Sequence, residues 1–160
     1  MLNEESLKAE LEKKFPFLKE KVRVTRPRRI FTDYLVPAQF QQVFDCLYGS
    51  MGFQILCTIT GLDEGETFGF VYHLARQDGT VFNLKTAVPK NDAVIKTITG
   101  CFPGGAIYER ELEDLLGVKV EGLPEGKHYP LPDDWPQGQY PLRKDWKPEM
   151  LEEKEATLNA

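Results

Sequence analysis

Prolines are concentrated towards the C-terminal end of this chain, where six of the eleven lie between residues 124 and 148. Each proline removes a backbone N–H donor and restricts the residue before it, so neither a helix nor a central strand can run through this spacing. We therefore expect residues 123–148 to form an extended arm. Both tryptophans, Trp135 and Trp146, lie on it. Large aromatic side chains outside regular structure must be buried against their own domain or against another polypeptide, and the pattern leaves both alternatives open.

Length and composition predict one domain ahead of this arm. A chain of 160 residues with 41% hydrophobic content can bury a sizeable core, so we place an α+β domain at 1–122 and a charged tail at 149–160. The formal net charge of −5 argues against a nucleic-acid binder that depends on overall charge. Three separated cysteines without a C-x-x-C pair are typical of a reducing cytoplasm. No apolar run approaches the roughly 18 residues of a membrane span, so we expect membrane association through partners.

Two segments have the periodicity of amphipathic helices. Residues 6–17 place leucine and phenylalanine at helical spacing. Pro37 begins a second and clearer apolar stripe, which ends at Gly49. Each stripe must be covered, and a sheet formed by the neighbouring strands is the expected partner.

Alternation between apolar and other residues predicts that sheet. Residues 22–36 carry several basic residues among β-formers, which is typical of an edge strand or strand pair. Residues 53–59 and 67–75 alternate like half-buried strands. Asp78-Gly79 predicts a hairpin whose second strand covers 80–86. The predicted fold is α+β, an antiparallel sheet covered by helices, with an extended proline-rich C-terminal arm.

A third amphipathic segment has an apolar stripe from Tyr108 to Leu116, with Gly117 placed to end the helix. Its other faces are densely charged. The pattern alone favours a solvated acidic face, stabilised near the N-terminus by the helix dipole. Catalysis by paired carboxylates is disfavoured because the nearby sequence offers neither a nucleophile nor a metal ligand. The charged positions are Glu109, Arg110, Glu111, Glu113 and Asp114.

Two other functional interpretations compete with an interaction role. Cys57 and His73 could form the catalytic dyad of a small stand-alone enzyme if the fold brought their side chains together. The basic run from Lys19 to Arg29 could bind nucleic acid, although a charged edge strand is the favoured interpretation. The sequence contains no recognisable nucleotide, flavin or metal motif.

Three blocks of sequence together resemble one known family. Their order and approximate spacing, with an upstream strand, are similar to those of the respiratory complex I 30 kDa subunit family, which in bacteria is the C subunit of NADH-quinone oxidoreductase. The same family includes the related subunit of energy-converting nickel–iron hydrogenases. The resemblance covers roughly residues 35–146. The upstream strand is Phe70-Val71-Tyr72-His73-Leu74, and the blocks are the run from Tyr108 to Gly117, Leu131-Pro132-Asp133-Asp134-Trp135 and Pro141-Leu142-Arg143-Lys144-Asp145.

The resemblance implies a non-catalytic subunit of the peripheral arm of a complex I-type NADH-quinone oxidoreductase. It would act in assembly and in docking to the large quinone-site (49 kDa-like) subunit, near the iron–sulfur subunits. No cofactor or metal is expected in this chain, whereas iron–sulfur clusters and a flavin or nickel–iron centre are expected in partner subunits. The location implied is cytoplasmic, peripheral on the cytoplasmic face of the membrane through the complex.

The candidate partner-binding residues are a signature helix, a signature tail and the two tryptophans as aromatic contacts. The resemblance implies no nucleic-acid partner. These residues are Glu109, Arg110, Glu111, Asp114, Trp135, Pro141, Leu142, Arg143, Lys144, Asp145 and Trp146.

Two departures from the family pattern favour an alternative complex. The chain has Gly122-Leu123-Pro124 where members usually have Gly-His-Pro, and Leu116 where an aromatic residue is common. These differences favour the equivalent subunit of a membrane-bound energy-converting nickel–iron hydrogenase, with a hydrogenase large subunit as partner. They leave the family assignment unchanged.

Overall fold

The computed structural model describes residues 3–151, which contain three α-helices and seven β-strands. Five strands form one sheet in the order β1-β2-β5-β4-β3, and β6 pairs with β7 in a second sheet. The predicted α+β class is therefore confirmed. The elements are α1 (Glu4–Lys14), β1 (Val22–Arg26), β2 (Arg29–Thr32), α2 (Pro37–Ser50), β3 (Ile55–Asp63), β4 (Thr67–Ala75), β5 (Val81–Pro89), β6 (Val94–Lys96), α3 (Ala106–Leu116) and β7 (Lys119–Glu121).

One pairing in the larger sheet differs from the expected antiparallel arrangement. Strand β2 runs parallel to β5, with Ile30 opposite Phe82, whereas β1 and β2 are antiparallel. Parallel neighbours need a long connection, and the chain between β2 and β5 contains α2, β3 and β4. The connections on either side of β4 are too short for anything but antiparallel pairing. The four residues of β2 follow the order polar, apolar, apolar, polar in either direction, so the sequence did not predict the orientation of this strand.

The described residues divide into two compact units, 3–60 with 69–88 and 61–68 with 89–151. In the first unit the apolar stripe of α2 is buried, as its spacing predicted. The Phe40 ring lies 4.7 Å from the ring of Tyr72 on β4, measured between centroids. Aromatic pairs at this separation add to the free energy gained by burial, so α2 is fixed on the sheet by shape as well as by hydrophobicity.

Strand β4 is buried along most of its length, rather than half-buried as its alternation predicted. Tyr72 lies under α2. The residues of β4 that point to the opposite face of the sheet are covered too. A Cβ atom at Gly69 would lie 2.5 Å from the Tyr34 hydroxyl, so the Tyr34 ring covers the strand at that point. The prediction of a half-buried strand was wrong because β4 has a strand on each side and side chains over both faces.

The predicted hairpin at Asp78-Gly79 is confirmed. Gly79 has a φ of 81°, which glycine adopts without strain. The Asp78 carboxylate accepts a hydrogen bond from the Thr80 N–H at 2.9 Å, and the Arg76 N–H donates to the Thr80 carbonyl at 3.0 Å. This turn joins β4 directly to β5.

In the second unit, α3 packs on the last part of β3. A Cβ atom at Gly61 would lie 2.5 Å from Leu112 Cδ2 and 2.7 Å from Leu116 Cδ1, so a larger residue there would force these leucines to shift. Leu112 and Leu116 are both buried, as the apolar stripe of α3 predicted. The parallel pair β6 and β7 completes the unit, with Ile95 opposite Val120.

The arm over residues 123–148 contains neither helix nor strand, as the prolines predicted. It folds through successive turns, in which Trp135 N–H donates to the Pro132 carbonyl at 3.0 Å and Arg143 N–H donates to the Tyr140 carbonyl at 3.1 Å. The predicted charged tail lies outside the described residues from 152 onwards. Among residues 3–151, no helix is long and apolar enough to cross a membrane.

Candidate functional site

Helix α3 and the arm carry the residues that the sequence singled out. The helix ends at Gly117, whose left-handed backbone (φ 70°, ψ 35°) lets its N–H donate to the Glu113 carbonyl at 3.0 Å. Because Leu112 and Leu116 face the core, the charged residues between them must lie on the flanks and outer face of the helix.

Glu109 is fully buried, so the interpretation of this face as solvated is wrong for this residue. Its carboxylate accepts hydrogen bonds from the Thr97 hydroxyl at 2.6 Å and from the Ile98 N–H at 2.7 Å. Burial raises the pKa of Glu109 above its usual value, although both donors act in the opposite direction. Glu109 therefore attaches the segment after β6 to the first turn of α3.

Asp114 is also buried, and it attaches the start of the arm to α3. Its carboxylate accepts hydrogen bonds from His128 Nδ1 at 2.6 Å and from the Tyr129 N–H at 2.7 Å. The hydrogen bond to this carboxylate raises the pKa of His128, with its negative charge as a further cause. When His128 is protonated, the two side chains form an ion pair at the edge of the helix.

Arg110 makes a second attachment of the same segment. Its guanidinium donates to the Pro124 carbonyl, and a Cβ atom at Gly126 would collide with it. Glu113 accepts a hydrogen bond from the Val120 N–H at 3.1 Å, which ties β7 to the helix. Glu111 is only partly exposed.

Arg143 attaches the far part of the arm to the C-terminal end of α3. Its Nε donates to the Leu116 carbonyl at 2.7 Å, one of the carbonyls that a helix end leaves without an intrahelical partner. A cation is also favoured there by the negative end of the helix dipole. The guanidinium lies between two rings, 4.3 Å from the centroid of Tyr140 and 5.3 Å from that of Phe68. This combination of stacking and hydrogen bonding requires arginine, because lysine lacks the planar group.

Next to Arg143, the arm is fixed by a buried carboxylate on β3. Asp63 accepts hydrogen bonds from the Lys144 N–H at 2.9 Å and from Lys90 Nζ at 2.7 Å. The Lys90 ammonium also reaches Asp145, at 3.1 Å. Burial opposes the ionisation of Asp63, but the Lys90 ammonium and the N–H groups of Lys144 and Gly65 outweigh it and lower its pKa to about 2.

The two tryptophans lie side by side on the arm, with 6.5 Å between ring centroids. Gln139 holds both of them. Trp135 Nε1 donates to the Gln139 backbone carbonyl at 2.9 Å, and Trp146 Nε1 donates to its side-chain carbonyl at 2.7 Å. The sequence left open whether these rings pack on their own chain or on another, and within this chain each is half-buried against the arm.

These contacts divide the candidate partner-binding residues into two groups. Asp114, Arg143 and Asp145 have polar partners within the chain and fix the arm in place, and Glu109 fixes the segment after β6. In contrast, the Leu142 side chain is 53% exposed although its N–H is bound to the Leu115 carbonyl at 3.0 Å. The Lys144 side chain is exposed as well. Partner binding by all eleven residues stays a prediction.

Several residues that shape the site were not singled out in the sequence. Asp63 and Lys90 are distant from the arm along the chain, and no local motif connects them with Lys144. Gln139 is an ordinary polar residue in a turn. The His128 side chain is 52% exposed, yet it is bound to Asp114. The spacing between α3 and the arm gave no signal for that contact.

The competing catalytic interpretation finds no support in the surroundings of His73. Asn83 donates its amide to the Ile30 carbonyl at 3.0 Å, so its Oδ1 must accept from His73 Nδ1 at 2.6 Å. His73 Nε2 is then left as the acceptor for the Thr60 hydroxyl at 3.0 Å. Both ring nitrogens have partners, so neither is available to activate Cys57. Within residues 3–151, no group of three or more His, Cys, Asp or Glu side chains is placed to hold a metal ion.

The basic run from Lys19 to Arg29 matches the favoured interpretation of a charged edge. It contains β1, which is an edge strand of the larger sheet. Arg23 forms an ion pair with Asp33, and Arg29 Nη1 donates to the carbonyls of Arg28 at 2.8 Å and Gly79 at 3.2 Å. Charge on such a strand discourages edge-to-edge association.

Comparison with known proteins identifies the class to which this α+β chain belongs. Residues 34–151 match the family described as respiratory-chain NADH dehydrogenase, 30 Kd subunit. The chain belongs to this family, and the resemblance seen in three sequence blocks is confirmed.

The similar proteins come from several respiratory and hydrogenase complexes. The chain is 33% identical over 137 residues to the C subunit of the F(420)H(2) dehydrogenase of Methanosarcina mazei, covering 84% of this chain and 85% of that one. It is 32% identical over 142 residues to the C subunit of the NADH-quinone oxidoreductase of Moorella thermoacetica, covering 86% and 91%. It is 34% identical over 89 residues to the beta subunit of the membrane-bound hydrogenase of Pyrococcus furiosus, covering 53% and 51%.

A solved structure shares the fold over almost the whole chain. It belongs to the membrane-bound sulfane sulfur reductase, an archaeal respiratory membrane complex, and superposes with a TM-score of 0.80 at 26% identity. The alignment covers 96% of this chain and 91% of that chain.

Proposed function

We propose that this chain is a non-catalytic peripheral-arm subunit of a complex I-type respiratory electron-transfer complex, and that α3 and the arm dock it onto the large quinone-site subunit. Membership of the 30 kDa subunit family supports the type of complex. The observation that carries the docking role is that the arm holds an exposed leucine, Leu142, on a backbone fixed by hydrogen bonds on both sides.

The fixed backbone matters because binding is weakened by the entropy lost when flexible segments become ordered. Arg143 and Asp145 hold the arm against its own unit, so most of that ordering precedes association. Leu142 and Lys144 then lie ready for a partner, next to the half-buried Trp146. Tryptophan is among the residues that most often dominate the binding free energy of an interface, so Trp146 is the expected anchor beside them.

Electron transfer, in this proposal, takes place in the partner subunits. Iron–sulfur clusters and a flavin or nickel–iron centre would lie there, near the surface to which the arm binds. The chain would reach the cytoplasmic face of the membrane through its complex. Its role would be to position the large subunit and the iron–sulfur subunits during assembly.

A second candidate is the equivalent subunit of a membrane-bound nickel–iron hydrogenase. The similarity to the beta subunit of the membrane-bound hydrogenase of Pyrococcus furiosus favours it, as do the departures at Leu116 and Leu123. Both candidates use the same surface of this chain. They differ in the large subunit that co-purifies, because the cysteines that bind nickel lie in the large subunit of a hydrogenase.

Affinity purification from the native host tests the docking role. We expect Leu142→Ser combined with Lys144→Glu to recover about tenfold less of the large subunit, since tenfold corresponds to about 1.4 kcal/mol of interface free energy. Ile55→Ser combined with Lys19→Glu is the matched control, because it also replaces one exposed apolar side chain and one exposed lysine. Circular dichroism should show both variants folded. Undiminished recovery with the first variant would contradict the proposal.

A further inference from the structure

A groove of about 560 Å³ lies in the second unit, lined by the later part of α3, by β7 and by arm residues between 126 and 140. Trp135 and Tyr140 contribute its aromatic lining, and Leu131 adds an aliphatic side chain. Asp63 and Arg143 do not line the groove, although Arg143 stacks on the lining residue Tyr140. The groove therefore needs its own explanation.

The aromatic lining is held in place before anything binds. Trp135 is fixed by its hydrogen bond to Gln139 and by the neighbouring Trp146 ring. The Tyr140 ring is stacked on Arg143 at 4.3 Å. Rings that need no reordering lose little entropy when they contact a ligand, and tryptophan and tyrosine are prominent among residues that dominate binding.

The charges around the groove are predominantly basic. Four basic side chains line it against two acidic ones. Asp114 and His128 are bound to each other, whereas Glu113 accepts only a neutral Val120 N–H and keeps its charge. Outside that pair the lining holds three cationic side chains and one carboxylate. The basic residues are Arg110, Lys119, Lys127 and His128.

The basic groups still carry charge that could attract an anion. Arg110 donates to a neutral carbonyl, which leaves its positive charge uncompensated. Lys127 pairs with Asp133 at 3.3 Å, but both side chains are largely exposed, so that pair is weak. Lys119 is exposed and has no ion pair within residues 3–151. The groove is thus a locally positive site on a chain whose formal net charge is −5.

We infer that this groove binds an extended segment of a partner polypeptide in which an acidic side chain lies next to an aromatic or aliphatic one. The inference rests on the proposed docking function and names what the partner presents there. A carboxylate matches the basic residues, and an apolar neighbour matches Trp135 and Leu131. A small inorganic anion would leave the aromatic and aliphatic lining unused.

Photo-crosslinking in the assembled complex tests this assignment. Benzoylphenylalanine is introduced at Gln137, which lines the groove, and in a separate variant at Leu142 outside it. We expect the Gln137 variant to crosslink to a partner peptide in which Asp or Glu adjoins an aromatic or aliphatic residue. Crosslinking from Leu142 but not from Gln137 would overturn the inference and leave the docking function standing. A crosslink from Gln137 to a basic segment, a second copy of this chain or nucleic acid would also overturn the inference. If neither the Gln137 nor the Leu142 variant crosslinked to a partner, the docking function itself would be contradicted.

Charge reversal gives an independent measure. We expect Lys119→Glu to weaken recovery of the partner about tenfold and to reduce the salt dependence of binding. Lys96→Glu is the matched control, because Lys96 is an exposed lysine on the neighbouring strand β6 and does not line the groove. A lysine substituted for the crosslinked acidic residue of the partner should restore binding to Lys119→Glu. Equal effects of the two charge reversals would overturn the inference. It would also be overturned if inorganic phosphate competed with the partner as strongly as a peptide of the crosslinked acidic segment.

Discussion

Asp63 shows at the scale of single residues how a buried carboxylate joins distant parts of the chain. It lies on β3, yet it binds Lys90 after β5 and the backbone of Lys144 on the arm. Its pKa of about 2 means that the folded chain holds the ionised form more strongly than the unfolded chain does. The stability that this difference contributes is present above the unfolded pKa of 3.8 and is lost as pH falls through about 2.

Replacing this carboxylate should therefore remove stability in a pH-dependent way. We expect Asp63→Asn to lower the free energy of unfolding by about 2.5 kcal/mol near neutral pH, since one pKa unit corresponds to about 1.4 kcal/mol. The difference from the wild type should shrink as pH is lowered from about 4 towards about 2. Urea unfolding monitored by circular dichroism measures both effects. Asp134→Asn, at an exposed position, is the control, and a pH-independent difference for Asp63→Asn would contradict the assignment.

His128 should act in the opposite pH direction. Its pKa is raised above 6.5 by the hydrogen bond to Asp114, with further contributions from Asp133 and Glu113. Its contribution to stability is then fully present below the unfolded pKa and is lost as pH rises through the folded one. We expect the stability difference between the wild type and His128→Gln to be largest below pH 6.5 and to shrink as pH rises above it. An NMR titration midpoint of the His128 ring below 6.5 would exclude this behaviour.

At the scale of elements, the end of α3 depends on a glycine for two separate reasons. Gly117 has a φ of 70°, and a Cβ atom there would lie 2.5 Å from both Arg143 Nη2 and the Tyr140 ring. Gly138 has a similar φ of 78° but no neighbouring atom within 4 Å. Substitutions at these two glycines therefore separate the free energy cost of the backbone conformation from that of the clash with the arm.

We expect Gly138→Ala to destabilise the chain by about 1 kcal/mol, the usual cost of a left-handed backbone for an L-residue. Gly117→Ala should cost about 2 kcal/mol more, because the added methyl group must push Arg143 or Tyr140 out of place. Thermal unfolding of the two variants provides the comparison. Equal destabilisation would mean that the arm moves away from α3 without loss of free energy.

At the scale of the whole molecule, Arg143 should control whether the arm stays ordered. We expect Arg143→Ala to destabilise the attachment of the arm by about 2 kcal/mol, through loss of a hydrogen bond to a charged group and of stacking on two rings. Amide exchange at Leu142 and Lys144 should then accelerate. Both tryptophans lie on the arm, so their fluorescence should also shift to longer wavelength.

Arg23→Ala is the control for this variant, since its ion pair with Asp33 is exposed and should contribute less than about 1 kcal/mol. Unchanged exchange at Leu142 in the Arg143→Ala variant would show that the arm is held by other contacts. Recovery of the partner subunit should fall as the arm loses order, which connects this measurement to the proposed docking function.

Local sequence patterns were sufficient for the elements and insufficient for the contacts between them. The stripe from Phe40 to Leu47 and the turn at Asp78-Gly79 are short-range signals, and the structure has both. Burial of Glu109 could not be predicted, because its partners Thr97 and Ile98 lie in the irregular segment after β6. The parallel pairing of β2 with β5 depends in the same way on where the intervening chain returns.

By itself, the sequence determined the α+β class, the helices and strands with strong periodicity, the arm without regular structure and the family. These follow from periodicity, from the missing N–H groups of proline and from the motifs themselves, all of which are local. The tertiary structure alone decided which charged residues are used within the chain and which side chains face outwards. Asp63, Lys90 and Arg143 acquire their roles only when segments far apart in sequence meet, because a hydrogen bond or stacked ring depends on distances that sequence spacing does not set.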